Sequence, residues 1–347
     1  MLQNLNPKKT KAVLITHKED IDGMVSAALL YSDLRKNGYE HGQIDICLID
    51  YTSIIALFEN NMEKLKNHTL YLADIGMNER LYKLLLQLPP IASLPEEIHR
   101  YYYDHHAING DISEIRREIE KRFHVYKNPA LDQFTVKCCT AEVIYSSLEY
   151  NNPHYKCLCE YAHMGDFNKE GNGEQIKLVI ELSMFITYYQ HTDSRLADLL
   201  VSMQKPETWE SYLKSFVHNA EEISTWVAIQ HEEIEKNLIR INGGFRTILI
   251  SVADLKSEDI VYYLKKSVPG YDIYLGFSKR NNYANIQTGL SIAHIIASYF
   301  GGGGHHRRAG FKIPDEIQNY IDDRRFSHIV ESAFIKQLKL ILSEIGI

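Results

Sequence analysis

Long apolar runs are missing from this chain. None approaches the roughly 20 residues that a membrane span requires, and Met1 to Thr10 carries no apolar core of a signal peptide, so a cytoplasmic protein without a membrane partner is expected. Cysteine is scarce as well: Cys47, Cys138, Cys139, Cys157 and Cys159 make an odd number with no Cys-x-x-Cys pair, which removes the usual sign of a zinc ribbon or redox centre and implies reduced thiols. A basic surplus is absent. With 38 Lys and Arg against 45 Asp and Glu the net charge is −7, which argues against a general duplex-DNA binder, because such binding draws on counterion release by clustered cations. A short anionic substrate held in one local basic pocket stays compatible with that charge. There is no internal repeat and, beyond one glycine run, no low-complexity segment.

What remains is an ordinary globular composition, 45% apolar and 24% charged, over 347 residues, a length that favours two domains over one. The first third alternates strand and helix. Lys11 to Thr16, Ile44 to Asp50, Thr69 to Gly76 and Tyr101 to Tyr103 read as strands, with helical spacing after Gly23 and from Ile54 to Lys66, so an α/β fold with a mostly parallel sheet and flanking helices is expected. Ile112 to Arg122 and Val136 to Tyr150 read as helices, and the pattern is helical from Glu174 to about Arg240, with Trp226, Ile229, Ile234 and Leu238 as its stripe. Strands return after Gly243-Gly244: Arg246 to Val252, then Asp272 to Ser278 paired with Tyr283 to Gln287 across Asn281-Asn282. The division expected is 1–190 for the first domain, 191–243 for a helical connector and 244–347 for a smaller α/β domain.

Chemistry-bearing residues gather where the strands stop. Tyr101-Tyr102-Tyr103 runs into Asp104-His105-His106; His17, Asp20 and Asp22 follow the first strand; Asp74 follows the third; Asp166 ends a further polar stretch. All are expected at or just beyond strand ends, where open α/β sheets place their sites. Carboxylates brought so close together are costly unless cations neutralise them, and mixed imidazole and carboxylate donors suit manganese, iron, zinc or cobalt better than calcium. The glycine run Gly301 to Gly304 leads into His305-His306-Arg307-Arg308, a pattern fit for close backbone approach to phosphate.

In this order the motifs resemble the DHH phosphoesterase family over nearly the whole chain: His17 with Asp20-Ile21-Asp22, then Asp74, then Asp104-His105-His106, then Asp166, then Gly302-Gly303-Gly304-His305. Two residues separate His17 from Asp20, where many members have three. The resemblance implies that His17 and Asp20 hold one divalent ion and Asp22, His105 and Asp166 the other, with Asp74 bridging. Manganese comes first, with magnesium, cobalt or iron as alternatives. It further implies that His106 faces the phosphate, that Asp104 supports the histidines, and that Ser278, Arg280, Gly302, Gly303, Gly304, His305 and Arg308 grip the substrate's remote end.

The activity so implied is hydrolysis of short oligoribonucleotides or 3′-phosphoadenosine 5′-phosphate, with a short RNA or nucleotide as substrate partner and a homodimer as the expected assembly. Cyclic or linear dinucleotides, long single strands as in RecJ-type exonucleases, and a silent nucleotide-binding scaffold are the alternatives. A family-two pyrophosphatase is disfavoured, since its Ser-Arg-Lys-Lys segment is absent.

Overall fold

The computed structural model describes residues 12–50, 53–77, 79–105, 112–127, 138–148, 151–167, 173–189, 192–242, 246–280, 282–319, 321, 326, 330 and 334–344. Contacts divide the chain into two units, Met1–Ala220 and Glu221–Ile347. This places the boundary between residues of one long helix, whereas the sequence pattern suggests a connector over 191–243.

In the first unit, β1 (Ala12–His17), β2 (Ile44–Ile49), β3 (Thr69–Ala73), β4 (Arg100–Asp104) and β5 (His124–Lys127) form an all-parallel sheet in the order β2-β1-β3-β4-β5. Every residue of β1 is buried, as expected of a central strand covered on both faces. Val13 and Ile15 join Leu70, Leu72 and Tyr102 in a core closed by α2 (Ser53–Leu65), α3 (Glu79–Leu85) and α4 (Ile112–Glu120). Ala12 and Leu14 point to the other face by strand alternation, where α1 (Ile21–Lys36) lies with α5 (Thr140–Ser147) and α6 (Pro153–Asp166) packed against it. Because β2 and β3 flank β1 on opposite sides, the winding reverses there. The crevice beyond the carboxyl ends of β1 and β3 is therefore where such a sheet offers a site.

The helical stretch that follows is α7 (Gly173–Tyr189), α8 (Asp193–Ser202) and α9 (Pro206–Lys236). It stops before Arg240: Ile239–Asn242 is β6, antiparallel to β7 (Thr247–Ala253). Ile234 is fully buried and Trp226 and Leu238 pack beside it, but Ile229 is exposed and drops out of the expected stripe.

In the second unit β6 and β7 continue with α10 (Ser257–Ser267), β8 (Ile273–Ser278), β9 (Tyr283–Thr288), α11 (Ala293–Tyr299), β10 (Gly303–His305), β11 (Arg308–Lys312), α12 (Asp315–Gln318) and α13 (Ile335–Glu344). The sheet order is β10-β11-β9-β8-β7-β6, with only β7 and β8 parallel. Phe277, Phe300, Phe311 and Phe334 pack ring on ring in its core. Among the described residues no helix is long and apolar enough to cross a membrane.

Candidate metal centre

Pairing register carries three site residues to one level. Thr16 pairs with Ala73 and Ala73 with Tyr103, so the next residues, His17 and Asp104 at the last positions of β1 and β4 and Asp74 just past β3, stand side by side at the carboxyl end of the sheet. Asp74 turns there with a φ of 56°, a left-handed backbone that Asp tolerates better than most non-glycine residues. Asp20 caps α1 by accepting a 2.9 Å hydrogen bond from the Gly23 amide. Gly23 is required sterically: a Cβ there would sit 1.9 Å from the His17 carbonyl oxygen. The Asp-Ile-Asp-Gly run is thus the tightest start that lets α1 close on the strand before it, and it carries Asp22 inward to near-complete burial.

Two donor groups result. His17, Asp20 and Asp74 form one and Asp22, Asp74 and His105 the other, with the ligating atoms of each within 4.8 Å of one another. The two oxygens of Asp74 face different groups: Oδ2 lies 3.8 Å from His17 Nδ1, while Oδ1 lies 3.5 Å from His105 Nε2. Asp166 adjoins the second group, its Oδ2 3.5 Å from His105 Nε2.

These residues fit a pair of divalent ions. Ligand atoms about 2.1 Å from a shared ion lie no more than about 4.2 Å apart, so a modest inward shift of side chains completes either group. Oxygen and imidazole donors without sulfur match manganese or magnesium better than a thiolate-seeking metal.

Asp166 corrects the expectation that every ligand candidate follows a strand. It is the last residue of α6, three residues after His163, and α6 packs on α1 rather than entering the sheet. Its sequence signal is the polar end of an amphipathic stretch, which looks alike after helix or strand.

Other groups hold the carboxylates and imidazoles in place. Asp22 Oδ2 and Oδ1 accept the amides of Thr140 and Ala141, each at 2.7 Å, and the Thr140 hydroxyl donates to Asp74 Oδ1 at 3.1 Å. The Tyr102 hydroxyl lies 2.9 Å from Asp104 Oδ2 and 2.8 Å from the Ile75 carbonyl, sharing its one proton between them, and Asp104 is wholly buried. Glu19 Oε2 reaches His17 Nε2 at 3.3 Å while Asp20 Oδ2 takes Nδ1 at 2.9 Å. Glu19 and Thr140 escape sequence reading: one sits unremarked among charged neighbours, and the other is more than a hundred residues from the aspartate it binds. His163 bonds Glu142 at 2.9 Å and lines a cleft of about 240 Å³ with Glu142, Glu160, Met164 and Gln175.

Charge crowding shifts the titrations. Burial alone would lower His17, but Asp20 and Glu19, with Asp74 beyond, outweigh it and raise its pKa to about 10. Burial and then the Asp74 charge push the Asp22 carboxyl up to about 8, against the pull of His105 and the Ala141 amide. Without an ion the centre therefore retains protons that unfolded side chains would have released.

Of the remaining candidates, His106 lies outside the described residues, as does the side chain of His305. Ser278 is buried at the end of β8 and its Oγ accepts the Arg280 amide at 3.2 Å. Arg280 donates to both oxygens of Asp254, each at 3.2 Å, and its guanidinium stacks 5.1 Å from the Trp226 ring centroid. Arg308 is half-exposed, 3.9 Å from Glu258. Gly302 has a packing cause, since a Cβ there would meet the Gly310 carbonyl oxygen at 2.1 Å, whereas a Cβ on Gly303 would meet nothing within 4 Å.

No protein-family model matches the chain, and no curated protein sequence matches it. Solved structures do. RecJ from Thermus thermophilus in complex with Mn2+ superposes with a TM-score of 0.57 at 12% identity, over 93% of this chain and 52% of that one. An exonuclease RecJ bound to manganese gives 0.54 at 11% identity over 96% and 94%. The Thermus RecJ with Mg2+ gives 0.50 at 11% identity over 93% and 50%. This chain thus has the fold of the RecJ structures. It spans about half the length of the Thermus protein, and the resemblance read from the motifs is matched at the level of architecture.

Proposed function

We propose that this protein is a two-metal phosphoesterase that hydrolyses short oligoribonucleotides or 3′-phosphoadenosine 5′-phosphate to nucleoside monophosphates. One observation carries the reading: the carboxylate of Asp74 stands between two donor groups and turns one oxygen to each. Two divalent ions held there, manganese first, would supply Lewis acidity toward a phosphoryl oxygen and activate water near neutral pH. Manganese or magnesium in the RecJ structures supports that choice.

His17, Asp20 and Asp74 would hold one ion; Asp22, Asp74, His105 and Asp166 the other. Asp104, fixed by Tyr102, orients the turn that presents His105. His106 would hydrogen-bond the phosphate, and donors aimed at developing charge are the costliest to lose. Within the second unit, a phosphate-binding role is proposed for Gly303, Gly304, His305 and Arg308. Gly302 and Arg280 already have structural employment within that unit, although Arg280 could exchange Asp254 for a substrate phosphate by the same bidentate geometry.

The test is a turnover panel with Mn2+: 5′-labelled dinucleotide, 3′-phosphoadenosine 5′-phosphate, cyclic dinucleotide, pyrophosphate and a long single strand, each with the wild type and Asp74→Ala. Turnover of the first two, lost in the variant, is expected. Equal rates in both proteins would end the enzyme reading, and turnover confined to the long strand would make the protein an exonuclease instead.

A further inference from the structure

The backbone of the bridging residue is anchored, the Asp74 amide donating to the Tyr103 carbonyl at 3.0 Å, but that bond does not set the rotation of its carboxylate. Asp74 has left the strand, and its φ of 56° is held only where surroundings impose it. A carboxylate that must offer one oxygen to each of two ions needs its rotation about Cβ–Cγ settled before they arrive. Thr140 touches it at the decisive atom. Its hydroxyl donates to Oδ1 at 3.1 Å, the oxygen that faces His105, and leaves Oδ2 toward His17. The same residue's amide, with that of Ala141, grips both oxygens of Asp22 at 2.7 Å.

We propose that Thr140 is a positioning residue that assigns the two oxygens of Asp74 to their separate ions and ties that assignment to the orientation of Asp22. The inference rests on the two-ion reading of the centre. Three features make Thr140 suited to the task. It is fully buried, so no water competes for the hydroxyl. As a β-branched residue in the first turn of α5 it has few rotamers to lose. A carboxylate oxygen that accepts one hydrogen bond keeps a second lone pair for a cation. Residues that orient a ligand from behind typically alter metal affinity about 10- to 100-fold when removed.

Thr140→Val removes the hydroxyl, keeps the shape and leaves both amide bonds to Asp22. Thr140→Ser keeps the hydroxyl, and Thr140→Ala guards against a packing fault of valine. Mn2+ titration by calorimetry, far- and near-ultraviolet circular dichroism of the metal-free proteins, and dinucleotide kinetics are measured for all four. Two Mn2+ sites are expected in the wild type. In the valine and alanine variants the weaker site should lose about tenfold or more in affinity. Their kcat at saturating Mn2+ should fall with little change in KM, their spectra should be unchanged, and serine should restore affinity to within about threefold.

Valine and alanine variants that bind two Mn2+ as tightly as the wild type would overturn the role of Thr140 alone. A folded serine variant as defective as valine would overturn it too, by showing that packing and not the hydroxyl matters. A wild type that binds fewer than two ions would instead overturn the two-ion reading, and the inference with it.

Discussion

At the scale of single residues, the centre is a set of buried charges that neighbours hold in a working arrangement before any cation arrives. His17 shows this best, because carboxylates lie at both ring nitrogens. Glu19 keeps Nε2 occupied, so under the two-ion proposal Nδ1 would be the nitrogen that exchanges its proton for an ion. Replacing Glu19 by Ala should therefore weaken Mn2+ at the His17 site by about tenfold while sparing the site that contains Asp22 and His105, as read by calorimetry. Gly23 gives a different expectation. With the His17 carbonyl oxygen 1.9 Å from the place an alanine methyl would occupy, Gly23→Ala must push α1 off β1. A loss of about 1–3 kcal/mol in urea unfolding is expected, with both metal sites impaired. A fully stable variant would show that the helix start can relax without cost.

At the scale of elements, the aspartates after the strands are legible in the sequence because each ends a compact apolar run, and the glycine after Asp22 marks the helix start. Elements with weak apolar signal are harder to read. β5 is only His124-Val125-Tyr126-Lys127, and one aliphatic residue among polar neighbours does not announce a strand. β6 reads as the end of the preceding helix because Ile239 and Ile241 continue an apolar spacing that suits either state until pairing with β7 decides it. The α5 anchor on Asp22 and Asp74 joins residues 118 and 66 positions apart, contacts that no local pattern encodes. Arg280 stands out in the sequence by resemblance alone, and only the fold brings Asp254 and Trp226 to it.

The β10–β11 hairpin carries an expectation of its own. Gly303 has open space around its α-carbon, so Gly303→Ala should leave the melting temperature within about 1–2 °C, a surface-sized effect. If the backbone there approaches substrate, KM should rise severalfold while Mn2+ binding is unchanged. An unaltered KM would remove the glycine run from the substrate site.

At the scale of the whole molecule, the trapped protons make stability depend on pH in a definite sense. Folding holds a proton on Asp22 up to about 8 and on His17 up to about 10, both above their ordinary values of 3.8 and 6.5. Between about pH 4 and pH 10 these two groups hold protons in the metal-free folded chain that the unfolded chain has released, so their contribution to stability falls as pH rises. Calorimetric scans without metal should show Tm dropping by about 2–4 °C or more from about pH 5 to pH 9. Added Mn2+ should raise Tm by an increment that grows across the same range, since cation and protons compete for the same atoms. A Tm that climbs with pH without metal would contradict the buried charges described here.

The left-handed turn at residue 74 also bears on how a natural ligand could be found. Asparagine shares aspartate's tolerance of that backbone, whereas alanine does not. Asp74→Asn should thus keep the loop's shape while removing the negative charge that would neutralise the two proposed cations. Such a chain would test the proposed activity by trapping: recovered from cell extract, it would be searched by mass spectrometry for a bound, uncleaved nucleotide.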